Sequence, residues 1–188
     1  MVNNKTYNNV VNTLLRLGEY HRQISTTSVG DIWNVDLEKN TKFPLLHINP
    51  TNVSTGDSQL TYNFQIFIMD MVTERENWTT NRSEIVNSNT DDFPKLVKTL
   101  SNEQDVLNEM LQVCTDFIGM LRHSSQQSLL GTNDINEPLY FTQDQFTIEP
   151  FSERFDNLCC GWVFNIGVLV QNDFQTCDIP LTTKGAGY

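Results

Sequence analysis

Residues able to do chemistry are scattered through this chain. His21, His47 and His123 could ligate a metal or relay a proton, yet no HExxH, HxH or Cys-His spacing joins any two of them. His123 follows Arg122 at the end of a helical pattern, where positive charge meets the negative end of the helix dipole. Asp36, Glu38 and Lys39 have the look of a nuclease carboxylate cluster. In a strand, however, period 2 puts the two acids on one face and the lysine on the other, and a nuclease also needs a basic approach surface. Asp70, inside an apolar strand end and followed by Glu74, is the acid most worth following. A carboxylate there is expected to accept main-chain donors or pair with an arginine rather than to serve as a general base. Cys114, Cys159, Cys160 and Cys177 contain no CxxC pair, and adjacent cysteines do not easily bridge each other. They are expected to be reduced thiols without a metal. No serine lies in GxSxG, and no glycines form a phosphate cradle. The expected set of catalytic, cofactor-binding and metal-ligating residues is therefore empty, and the chain is not expected to be an enzyme.

The residues that dominate the sequence are those of two long strands. Leu60, Tyr62, Phe64, Ile66 and Ile68 alternate with Thr61, Asn63 and Gln65, the pattern of a strand with one buried face. From Phe67 onward the odd positions become apolar as well, with Met69 and Met71, so the far end of the run Gln59 to Val72 should be covered on both faces. At the rise of an extended chain this strand spans roughly 40 Å. In Gly161 to Val170 the even positions Trp162, Phe164, Ile166, Val168 and Val170 are all apolar. The two runs are expected to neighbour each other in one sheet.

Amphipathic helices flank this sheet. Tyr7, Val10, Val11, Leu14, Leu17 and His21 fall on one helical face between Thr6 and Arg22. Val106, Leu107, Met110, Leu111, Cys114, Phe117, Ile118 and Leu121 give a second and stronger helix, with Ser101 and Gln104 in the spacing of a capping box. A short turn is expected at Phe93 to Leu100. The remaining readings are local. Val29 to Leu37 reads as a strand after a break at Ser25 to Thr27, with Phe43 to Ile48 as its hairpin partner and Pro44 at an edge or strand start. Asn49 to Asp57 reads as turn chemistry throughout. Leu139 to Phe141 and Phe146 to Ile148 read as short strands, and Phe151 to Leu158 as a turn or short helix. The polar stretches 73–92 and 124–137 read as loops or projecting arms, and 178–188 as an extended C-terminal tail. The expected fold is a single α+β domain over 1–188: a mainly antiparallel sheet with two long strands and two amphipathic helices packed on one face.

Composition limits the partners. Twelve basic residues against twenty-three acidic ones give a net charge of -11 over 188 residues, which argues against a nucleic-acid surface or an anionic membrane and in favour of protein partners. No apolar run reaches the length of a membrane span and no leader-like segment opens the chain, so residence in a cytosol is the expectation. Three matches to the glycosylation sequon, at Asn52, Asn77 and Asn81, carry no weight in a chain so rich in Asn, Ser and Thr.

The succession Phe43-Pro-Leu-Leu-His-Ile-Asn-Pro50, Ile66-Phe-Ile-Met-Asp-Met-Val72, the amphipathic helix, Glu149-Pro-Phe-Ser-Glu-Arg-Phe-Asp156, Gly161-Trp162 and Cys177-Asp-Ile-Pro180 resembles structural proteins of tailed bacteriophages. It is similar to the tail terminator, tail completion and neck ring group of the head-to-tail region, and looks closest to versions in phages of Bacteroidetes-type hosts, crAss-like phages included. The resemblance implies a virion protein, made in the host cytoplasm, that forms a homo-oligomeric ring of about six or twelve subunits between portal-side connector and tail-tube proteins. DNA would pass through such a ring without being bound, which suits an acidic lumen. No cofactor and no active site are implied.

On that reading Phe67, Met69, Met71 and Trp78 are the candidate interface residues, although packing within the fold suits the first three equally well. Asp70, Glu74 and Asp91 are the candidates for lumen or joint contacts. The alternative is a monomeric or dimeric adaptor of a phage or bacterium that binds another protein by sheet-edge pairing. A small hydrolase or nuclease is the minor third class.

Overall fold

The long strand predicted from alternation needs ladders on both sides, because every odd and every even main-chain group must find a partner. The computed structural model, which describes residues 6–32, 41–73, 102–127, 140–142, 145–154 and 158–171, shows how it obtains them. In chain order the elements are α1 (Tyr7–Tyr20), β1 (Thr26–Val29), β2 (Leu45–Gly56), β3 (Gln59–Met71), α2 (Glu103–Gln127), β4 (Tyr140–Thr142), β5 (Ile148–Arg154) and β6 (Leu158–Gln171). They build an α+β fold with one sheet of order β1-β2-β3-β6-β4, and β5 joins β6 beside β4. Only β1 and β2 run parallel; the other pairings are antiparallel. β3 is paired on both sides from Gln59, opposite Gly56 and Gln171, to Met69, opposite Leu45 and Gly161, and its last two residues pair with β6 alone.

Alternation decides what each face carries. The even residues of β3 and β6 join Leu46, Ile48 and the buried faces of both helices in the main core, with Phe64, Phe117 and Phe164 among its fully buried side chains. α1 contributes Val10, Val11, Leu14 and Leu17. α2 contributes Val106, Met110, Val113, Cys114, Phe117, Ile118 and Leu121. The odd residues form a smaller cluster on the opposite face: Leu45, Phe67, Met69 and Cys159, with Ile32, Phe43, Phe151 and Val163 against it. Phe67 and Phe151 meet edge to face, their ring centroids 5.3 Å apart. The two adjacent cysteines thus point to opposite faces of the sheet.

Several local expectations are corrected. Ser25 to Thr27 is no break: Thr26–Val29 is the strand, and it pairs with Leu45 to Ile48 in parallel, so the two are not a hairpin. Residues 33–37, the other part of the expected strand, lie outside the described residues. Asn49 to Gly56 is strand and not turn; only Asp57 and Ser58 turn, Ser58 with a left-handed φ of 59°. β3 is so long that its hairpin partner has to continue through turn-forming residue types, accommodated by a bulge at Thr51 between Pro50 and Asn52. Pro50 costs no ladder bond. Ile48 uses its carbonyl oxygen to accept the Gly30 N–H at 3.0 Å, so Pro50, two residues on, turns its nitrogen to the same side, beyond the end of β1.

Phe151 belongs to a strand rather than a turn or short helix, and Phe146 and Thr147 precede that strand. Pairing with the long, apolar β6 overrides the turn propensity of Pro150 and Ser152. α2 runs on to Gln127, past the expected loop start at Ser124, because no glycine or proline lies between Gly119 and Gly131. At its start the Asn102 carbonyl oxygen accepts the N–H groups of Asp105 and Val106, while the Asn102 side chain accepts the Thr73 N–H at 2.7 Å. Ser101 of the expected capping box lies outside the described residues, as do the expected turn at 93–100, most of the arm at 73–92, the loop beyond Gln127 and the tail at 178–188.

Candidate interaction surface

The titratable groups that could do chemistry are held in structural roles. His47 is buried on the outer face of the sheet, with Nδ1 2.8 Å from the Ser28 hydroxyl and Nε2 3.0 Å from the Gly30 carbonyl oxygen. A carbonyl can only accept, so Nε2 carries a proton; in the neutral ring, which burial favours, Nδ1 accepts from the Ser28 hydroxyl. Burial lowers the His47 pKa against the pull of the Gly30 carbonyl and of Asp31. His21, at the end of α1, accepts the Gln23 N–H on Nδ1 at 3.3 Å and sets Nε2 3.6 Å from Asp116 of α2, linking the two helices. The side chain of His123 lies outside the described residues. Burial pushes the Cys114 and Cys160 thiols up to about 12 and that of Cys159 up to about 11, so none is a thiolate at neutral pH. Among the described residues no three His, Cys, Asp or Glu side chains come together as a metal-binding group. Among them too, no helix is long and apolar enough to cross a membrane.

Of the candidate interface and lumen residues, Phe67, Met69, Asp70 and Met71 lie together at the end of β3. Phe67 and Met69 are packed into the outer cluster and are 8% and 0% exposed, so neither is open to a partner; Met71, at 43%, is. Asp70 is half-buried at the end of β3, where its Oδ1 accepts the Met71 N–H at 2.7 Å. Burial raises its pKa, the Met71 N–H opposes that, and Glu109 adds to it. Trp78, Glu74, Asp91, Asp36 and Glu38 lie outside the described residues.

What the sequence reading missed is the edge of β2 beyond β1. Thr51 to Gly56 are all exposed, and Asn49 to Gly56 holds no charged side chain. Main-chain direction there follows from residues already placed. The Ile48 carbonyl points to β1, so Ile48 and its partner Ile66 do not bond each other, and in a regular strand Phe64, Tyr62 and Leu60 likewise turn away from β2. Val53 and Thr55 stand opposite Tyr62 and Leu60. Their N–H and C=O groups therefore point off the sheet. On the far side of the sheet, β6 turns its even residues to β3, as the bond from the Val72 N–H to the Leu158 carbonyl oxygen at 2.8 Å shows. Pro150, opposite Trp162, consequently faces outward from β5 with no N–H to offer. Proline interrupts the β5 edge at Pro150; on β2, beyond Pro50 and the bulge, no strand among the described residues pairs with the outer side of Asn52 to Gly56.

The outer face beside the open edge is polar and shallow. Asn63 donates from Nδ2 to Asn52 Oδ1 at 2.7 Å, and the Thr51 hydroxyl donates to the Asn63 carbonyl oxygen at 2.9 Å, fixing the bulge. A depression of about 300 Å³ lies over Asn52, Asn63, Asn165 and Gly167. Gly167 supplies no side chain to fill it. The signal for this edge was present in the sequence as length: a strand of thirteen residues requires a hairpin partner nearly as long, whatever the turn propensity of Asn, Pro, Ser and Gly. No protein-family model matches the chain, and no curated protein matches it.

Proposed function

We propose that this chain is a non-catalytic assembly protein that binds other protein by accepting a strand on the open half of β2. The observation that carries the proposal is the outward direction of the Val53 and Thr55 main-chain groups on an exposed, uncharged edge. Monomeric proteins close such edges with proline, charge, bulges or a covering element; β5 carries its proline in mid-strand, whereas on β2 Pro50 and the bulge at Thr51 stand at the inner end and Asn52 to Gly56 has neither proline nor charge. Addition of a strand supplies main-chain hydrogen bonds that are independent of partner sequence, and the alternating side chains add selectivity. His21, His47, Cys114, Cys159, Cys160 and Asp70, tied to main-chain partners or buried, are consistent with a scaffold. The test is the native mass by light scattering at two concentrations, for the wild type and for Val53→Pro. The substitution removes one outward N–H and leaves the β2–β3 ladder intact. An assembly that Val53→Pro breaks agrees with the proposal; an assembly that it leaves intact overturns it.

A second reading has its own support. The order of elements resembles the tail terminator, tail completion and neck ring proteins of tailed phages, and a net charge of -11 suits a ring through which DNA slides. On this reading each subunit passes a strand to the next around a ring of about six or twelve copies. Negative-stain images of the assembled species distinguish the readings by the presence or absence of an open-centred ring.

A further inference from the structure

We infer that the strand accepted by β2 is the same segment of a second copy of this chain, Thr51 to Gly56 running antiparallel across a two-fold axis at Ser54. The outward groups of β2 are self-complementary. Placing Ser54 opposite Ser54 of the second copy puts Val53 opposite Thr55 and Thr55 opposite Val53, so both outward N–H groups and both outward carbonyls of each copy meet partners. Ser54 itself, whose main-chain groups are turned to Thr61 of β3, then forms the non-hydrogen-bonded pair at the centre. In such a pair the two Cα atoms lie about 4.5 Å apart.

Charge and edge chemistry both point to a second copy. Two chains carrying -11 each can approach only over a neutral patch, and Asn49 to Gly56 is uncharged while being exposed from Thr51 on. The opposite edge is the poorer template for a head-to-tail partner: it is split between β4 and β5, and Pro150 withholds an N–H in the middle of β5. The side chains at the centre are small. Ser54 faces the outer surface and Val53, 51% exposed, lies on the other, where it would be covered by Thr55 of the second copy. Six residues a side make a modest interface, so the dimer should depend on concentration.

This inference rests on the sheet-edge proposal, and the two fail differently. The first probe is Ser54→Cys in a Cys177→Ser background, which leaves the three buried thiols as the other cysteines. The central pair has the Cα separation of a disulfide, so mild oxidation should convert most of the protein to a covalent dimer, whereas Asn52→Cys at the flank should remain monomeric. The second probe is Ser54→Asp, an exposed position where folding is unaffected; placing like charges face to face should lower the dimer population at least about tenfold by light scattering. No cross-link from Ser54→Cys overturns self-pairing. If Val53→Pro still breaks an assembly in that case, the open edge serves another strand and the sheet-edge proposal stands. If neither Val53→Pro nor Ser54→Asp changes the native mass, both are wrong.

Discussion

The indole Nε1 of Trp162 donates to the main-chain carbonyl oxygen of Leu107 at 2.7 Å, tying the second turn of α2 to the start of β6. The bond crosses the layer between helix and sheet at one of the few polar contacts there. Cys160, two residues earlier on the same face, directs its Sγ to the Glu103 carbonyl oxygen at 3.7 Å, so β6 meets consecutive turns of α2.

Trp162→Phe keeps most of the ring packing and removes the donor. The Leu107 carbonyl still lies within the helix, so no acceptor is left fully unsatisfied. The substitution should cost about 1–2 kcal/mol, read as a lower urea midpoint with an unchanged slope. A change below a few tenths of a kcal/mol would mean that α2 is held by apolar burial alone.

Gly161 sits where β3 and β6 come closest. A Cβ at this position would run into the Ile68 carbonyl oxygen and stand 2.8 Å from Cα of Met69, main-chain atoms that cannot step aside. Gly161→Ala should cost about 3 kcal/mol or more, or prevent folding, because relief requires the two longest strands to separate. Gly18 is the control. Its Cβ would meet a side-chain methyl of Thr27 at 2.8 Å, and helix propensity gained from alanine offsets that contact. Gly18→Ala should stay within about 1 kcal/mol of the wild type in the same urea titration.

The two long strands and both helices are legible in the sequence because each has a regular apolar period maintained over many residues. Leu60 to Ile68 and Trp162 to Val170 could be buried on one face in no other way. Of the short elements β4 was legible, as Leu139 to Phe141; the others were not, for reasons that differ. β1 holds two threonines and a serine, polar residues that become a strand only because Leu45 to Ile48 offers a ladder beside them. The outer half of β2 has the composition of a turn, and only the length of its partner makes it a strand. Of the candidate interface residues, Phe67 and Met69 were recognised as a second apolar face, but what fills that face comes from Phe43 and Phe151, far away in sequence. A contact between positions so distant leaves no local pattern.

Asp70 should weaken the fold at neutral pH. Burial, foremost, and Glu109 raise its pKa above the ordinary 3.8, with the Met71 N–H opposing them. A raised carboxylate pKa means that the folded state holds the proton more tightly, so this contribution to stability is present below 3.8 and lost as pH rises through the folded value. Asp70→Asn keeps an oxygen to accept the Met71 N–H and removes the charge. The melting temperature of Asp70→Asn should exceed that of the wild type near pH 7, and the difference should shrink toward about pH 4. A variant less stable than the wild type at both would show that the Met71 contact requires the full carboxylate.

His47 should produce acid sensitivity of the opposite sign. Desolvation lowers its pKa below the ordinary 6.5, outweighing the Gly30 carbonyl and Asp31. Between the folded value and 6.5 the unfolded chain therefore binds more protons than the folded one. Its contribution is complete above 6.5 and lost as pH falls through that window. Protonation of Nδ1 would also reverse its bond with the Ser28 hydroxyl, 2.8 Å away, while Nε2 keeps donating to the Gly30 carbonyl, so the cost is the charge buried in the ring. Urea midpoints taken from about pH 8 to about pH 5 should decline below pH 6.5 in the wild type. In His47→Gln, which keeps an amide N–H donor and a carbonyl acceptor but does not titrate, the curve should start lower and be flatter. Equal slopes in the two proteins would place the acid-sensitive group elsewhere.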